Sequence, residues 1–81
     1  MELFILIVHF SIEGEQGANV RLFNTFKEAQ NAMEKDYNAT KDNFSTWSGE
    51  IEYNSAKVES REDFICWDID GYLIDFKNFN I

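Results

Sequence analysis

The side chains able to do covalent or acid–base chemistry are one histidine, one cysteine and fifteen carboxylates. His9 stands inside an apolar run, between Val8 and Phe10. A general base there would have to work from within a strand, so His9 is read as a structural or partly exposed histidine. Cys66 lacks the second cysteine that a disulfide or a thiol-rich zinc site needs. It is read as a small buried apolar residue in a reducing cytosol. His9 and Cys66 are far apart in sequence, and no activating motif surrounds either, so a nucleophile–base pair is not expected. Asp68-Ile69-Asp70-Gly71 has the spacing of the middle of a calcium loop. The frame fails at both ends, where Cys66 would be the first ligand and Lys77 the twelfth. Gly14 and Gly17 flank the acidic Glu15, which would repel a phosphate. Adjacent acids such as Glu62 with Asp63, or Asp68 with Asp70, are expected by chance in so acidic a chain. The sequence therefore predicts no catalytic residues, no metal ligands and no cofactor: not an enzyme.

The carboxylates matter more as a field than as reagents. The formal charge is −8 over 81 residues, and it is uneven. Between 50 and 75, eight acids (Glu50, Glu52, Glu59, Glu62, Asp63, Asp68, Asp70 and Asp75) face only Lys57 and Arg61, a net of −6. On one face of a strand, residues i and i+2 are about 6.6 Å apart, because the rise is about 3.3 Å per residue. Carboxylates at that pitch form an extended anionic strip, the kind of charge row a nucleic-acid backbone presents. Direct binding to nucleic acid or to an anionic membrane is disfavoured, since both need an excess of Lys and Arg. A basic partner is expected, and proteins that handle nucleic acid are the commonest basic partners. Acidity also serves solubility alone in many small domains. The eight acids, with Trp47 as an aromatic anchor, are the predicted partner-binding residues.

These residues must be positioned by a single small domain spanning 1–81. A chain of this length buries only about 60–65% of its unfolded surface. It has 44% apolar residues and thirteen aromatics, which a disordered acidic tail would lack. With no proline and four glycines, it contains no linker. Residues 2–12 are apolar on both alternate faces, which is the pattern of a central strand. Glu2 and no Lys or Arg precedes its apolar stretch Leu3 to Val8, which is therefore read as a buried strand, neither secretory signal nor membrane span. Residues 13–18 read as a turn and 19–24 as a short second strand.

Thr25-Phe26-Lys27-Glu28 is a capping box, with the Thr25 hydroxyl on the Glu28 N–H and the Glu28 carboxylate reaching back to the Thr25 N–H. The stripe Phe26, Ala29, Ala32, Met33 and Tyr37 then predicts a helix over 26–40. A loop over 43–49 carries Trp47. Ile51, Tyr53, Ala56 and Val58 form one apolar side, with a phase slip at Asn54-Ser55 that suggests a bulge. Ser60 to Asp63 reads as a turn. Asp70-Gly71 predicts a two-residue hairpin within 64–76, placing Ile65, Trp67, Ile69, Tyr72, Ile74 and Phe76 on one face. A single long strand bulged at Gly71 is the competing reading. The expected fold is α+β: a four- or five-stranded antiparallel sheet with one helix on one face, in the order β-β-α-β-β(-β). One helix cannot cover both faces of such a sheet, yet the first strand is apolar on both. The second face is expected to be closed by a dimer partner, a target or the C-terminal segment.

The apolar first strand, Phe23-Asn24-Thr25-Phe26-Lys27-Glu28-Ala29, Ala32-Met33-Glu34-Lys35-Asp36-Tyr37, Asn54-Ser55-Ala56-Lys57-Val58 and Trp67-Asp68-Ile69 carry a resemblance over most of the chain. In these stretches it resembles a group of small uncharacterised proteins of phages, plasmids and conjugative elements of Gram-positive bacteria. By size, acidity and this mobile-element character it is similar in type to anti-CRISPR proteins, several of which occupy the basic groove of a CRISPR effector. The resemblance implies a cytoplasmic protein of a bacterial host that blocks such a groove by nucleic-acid mimicry. It supplies no catalytic residues. Two other expectations stand beside it. One is a structural or regulatory module that dimerises or docks through the second apolar face. The other is a small-molecule binder with a cavity beside the helix.

Overall fold

The computed structural model describes residues 2–73, so Ile74, Asp75 and Phe76 of the predicted hairpin lie outside the described residues. The first two strands, β1 (Glu2–Ile12) and β2 (Glu15–Phe23), pair antiparallel from Ile12↔Glu15 to Phe4↔Phe23. Only Glu13 and Gly14 join them, at φ of 52° and 83°. Two successive left-handed residues give the turn whose twist matches a strand pair. The reading of 13–18 as a turn is thereby corrected: β2 starts at Glu15 and includes Gly17. Gly17 is a packing glycine, because a Cβ there would come within 2.5 Å of the Phe10 ring on the neighbouring strand.

The helix α1 (Phe26–Asn43) follows the predicted cap and runs three residues past the predicted end. Thr25 is extended at φ −130°, ψ 152°, and its hydroxyl accepts the Glu28 N–H at 3.1 Å. The second half of the box differs from the expected form. The Glu28 carboxylate accepts from the Thr25 hydroxyl, at 3.1 Å, rather than from its backbone N–H. The Phe44 N–H donates to the Thr40 carbonyl at 2.9 Å and closes the last turn. Thr25→Ala removes the acceptor for an otherwise unpaired helix N–H and is expected to cost about 1 kcal/mol. For a domain of this size that lowers the melting temperature by about 4–8 °C, a shift that circular dichroism would measure directly.

Three strands follow: β3 (Ser48–Ile51), β4 (Ser55–Ser60) and β5 (Asp63–Leu73). The phase slip at Asn54-Ser55 is a chain reversal and not a bulge. β3 and β4 pair antiparallel with Ile51 opposite Ala56, and the Glu52 N–H closes the turn on the Ser55 carbonyl at 2.7 Å. A reversal and a bulge both shift the alternation by one, so pattern alone does not separate them. Arg61, at φ 56°, and Glu62 make the predicted turn into β5.

The hairpin at Asp70-Gly71 is absent. β5 runs straight through both residues, in unbroken register with β1 from Ser11↔Phe64 to Glu2↔Leu73. No bulge interrupts that ladder at Gly71. Gly71 lies opposite Phe4, and a Cβ would come within 3.1 Å of the Phe4 ring, so close approach, not turn geometry, accounts for the glycine. Tyr72 consequently takes the register position opposite Leu3, out of phase with Ile69.

The result is the expected α+β architecture, a five-stranded antiparallel sheet in the order β2-β1-β5-β4-β3 with one helix. Leu6, Ala56, Val58, Trp67 and Ile69 of the sheet bury themselves against Ala29 and Met33 of α1. Gly49 lets the helix lie close to β3, since a Cβ there would meet the Tyr37 hydroxyl at 2.6 Å.

Candidate protein-binding face

Side chains alternate along a strand, so the residues between the buried ones point to the other side of the sheet. The cross-strand register then gives the composition of that second face. On β2 and β1 it carries Ala18, Val20 and Leu22 beside Ile5, Ile7 and His9. On β5 it carries Cys66, Asp68 and Asp70, with Ile7 opposite Asp68 and Ile5 opposite Asp70. On β4 and β3 it carries Ser55, Lys57, Glu59 and Glu50. One half of the face is therefore aliphatic and the other anionic. Val20 and Leu22 remain 57% and 61% exposed. As expected, the single helix leaves this face uncovered among the described residues.

The face gathers five of the predicted acids. Glu50, Glu52 and Asp68 line a shallow depression of about 220 Å³ together with Ser55, Lys57 and Cys66. Asp70 continues the row on β5, and Glu59 lies on β4 opposite Phe64. All five carboxylates are exposed. The one base among them is Lys57, whose Nζ lies 3.1 Å from Glu59 Oε2, and that contact raises the ammonium pKa.

Three other predicted residues are placed elsewhere. Glu62 sits in the β4–β5 turn at the end of the sheet. Asp63 shares the phase of Ile65 and Trp67, on the helix side, and its Oδ1 accepts the Glu13 N–H at 3.0 Å. That bond ties the two hairpin turns together. Trp47 is partly buried against the core, 4.4 Å from the Phe44 ring centroid, and its carbonyl accepts from Lys41 Nζ. Asp75 lies outside the described residues.

The strand register also makes a pairing that sequence separation hides. His9 is directly opposite Cys66, and Cys66 is directly opposite Lys57. Cys66 is half-buried on the uncovered face and not buried in the core as expected. That partial burial pushes its thiol above its ordinary pKa, and the ammonium of Lys57 offsets this only in part. The sulfur is thus a thiol at neutral pH and a poor nucleophile. No group of three or more His, Cys, Asp or Glu side chains suited to a metal ion occurs among the described residues. On the helix side, a groove of about 480 Å³ runs beside α1, lined by Val8, Phe10, Ile12, Asp36, Thr40 and Ile65. No described helix is long and apolar enough to cross a membrane.

The aliphatic residues of β2 escaped the sequence reading. The signal was present as an alternation, Ala18, Val20 and Leu22 against Asn19 and Arg21. Placing Ala18 in a turn cut it short. No family model, curated protein or solved structure matches the chain.

Proposed function

We propose that this protein is a non-enzymatic inhibitor of the anti-CRISPR type, carried by a phage or mobile element and acting in the cytoplasm of a bacterial host. Its anionic strip occupies the Lys/Arg-lined groove in which a defence effector, such as a Cas nuclease, holds nucleic acid. The observation that supports this reading is the convergence of Glu50, Glu52, Glu59, Asp68 and Asp70 on one sheet face against a single Lys57. Exposed carboxylates held on a rigid sheet attract a basic groove without first having to be ordered. The test is a pull-down from bacterial lysate with the tagged full chain, washed at low and at high salt. A basic nuclease retained at low salt and displaced by DNA supports mimicry. Retention that high salt and DNA leave unchanged would sink it.

The exposure of Val20 and Leu22 favours a second reading, in which the aliphatic half of the face does the docking and the charge only solubilises. Salt-insensitive association is its signature.

A further inference from the structure

The two edges of the sheet are built differently. β3 is four residues long and carries Glu50 beside the exposed Glu52, the short, charged form that protects an edge from pairing. β2 is nine residues long, free of proline, and among the described residues exposes a continuous backbone edge flanked by Val20 and Leu22. It is also electrically neutral, with Glu15 balancing Arg21, in a chain of net charge −8. A long, unguarded edge is a template for another strand, and a neutral one admits a strand from an equally acidic protein.

We infer that β2 pairs antiparallel with β2 of a second copy, joining two sheets into one of ten strands. A two-fold axis at Ala18 sets Glu15 opposite Arg21 of the second copy. Arg21 Nη1 lies 3.1 Å from Asp36 Oδ2 of its own chain, so it would bridge that carboxylate and Glu15 of the second copy. It also sets Val20 against Gln16 of the second copy, which extends the aliphatic half of the face across the junction.

Charge selects edge pairing over face packing. Stacking two uncovered faces would lay Asp68 and Asp70 of each copy on the acids or the aliphatic residues of the other. Either arrangement buries unpaired carboxylates. In the edge-paired sheet, β5 of one copy is five strand spacings from β5 of the other, about 24 Å at about 4.8 Å each. That exceeds the screening length of about 8 Å at physiological salt several-fold, so the strips do not repel. Both anionic strips stay exposed on the same side, which would make the dimer bivalent towards a basic partner. The pairing stands whether or not the strip binds one.

Sedimentation equilibrium of the full chain under reducing conditions, from low micromolar to millimolar concentration, tests the inference. The expected result is a reversible monomer–dimer equilibrium that Val20→Lys with Leu22→Lys weakens, while the melting temperature of the dilute monomer is kept. Glu15→Arg turns both cross-strand ion pairs repulsive and is expected to weaken the dimer by about tenfold or more. Adding Arg21→Glu to it, with Asp36→Asn to relieve the carboxylate that Arg21 pairs with in its own chain, restores the dimer. A monomer at every concentration overturns the inference. So does a dimer indifferent to Glu15→Arg, which would place the contact away from this edge.

Discussion

Trp67→Ala is expected to take away a large part of the stability of this protein. Trp67 is 2% exposed and lies between Val8 and Ala56 on the neighbouring strands, with the Tyr37 ring edge-on at 6.0 Å between centroids. It is the largest fully buried side chain among the described residues, in a core of only seven buried hydrophobics. Truncating a buried tryptophan costs about 3–5 kcal/mol, because the lost burial is compounded by the cavity that remains. Small domains are stable by about 5–15 kcal/mol, so the loss is a large fraction of the total. At about 4–8 °C per kcal/mol, the melting temperature should fall by about 12–40 °C. Trp67→Phe should cost far less. Its ring still fills most of the space, and the indole N–H it removes has no hydrogen-bond partner among the described residues. Thermal and urea unfolding, followed by circular dichroism, would read both. A fall of only a few degrees for the alanine variant would mean that Trp67 is not the centre of the core.

The double reversal Asp68→Lys with Asp70→Lys is expected to abolish association with a basic partner and leave the fold intact. The two carboxylates are exposed, make no hydrogen bond among the described residues, and stand in register with Ile7 and Ile5. Exposed substitutions of this kind change stability by about 0.5 kcal/mol or less. The anionic half of the face carries five acids against Lys57, so reversing two of them brings its net charge from −4 to zero. A unit charge about 4 Å from its partner contributes about 1 kcal/mol in water, and reversal converts that attraction into repulsion. Two such sites amount to about 4 kcal/mol, a loss in affinity of about a thousandfold. Lys57→Glu should shift binding the other way, and both effects should shrink as salt is raised. Titration of the partner recovered from lysate would settle it. Unchanged affinity in the double reversal would rule out the strip as the contact surface.

What the sequence determined by itself was local. The Thr25–Glu28 cap and the stripe from Phe26 to Tyr37 specify a helix through contacts within one or two turns, so their reading survives folding. The doubly apolar first strand likewise reads as central, and it lies between β2 and β5, although only one of its faces is covered among the described residues. Together they imply one helix on a larger antiparallel sheet with a face left over.

The tertiary structure decided wherever a local signal has two uses. Asp70-Gly71 is good turn chemistry, but ten residue pairs with β1 outweigh it, and the glycine serves the Phe4 ring instead. The slip at Asn54-Ser55 became a reversal because β4 pairs with both β3 and β5. Strand phase likewise divided the acids, keeping Asp68 and Asp70 on the strip and sending Asp63 to the helix side, where it ties two turns. The same register brought His9 beside Cys66, across 57 residues of chain. Which residues meet across strands depends on pairing between distant segments, and a one-residue shift of that pairing moves every side chain to the opposite face.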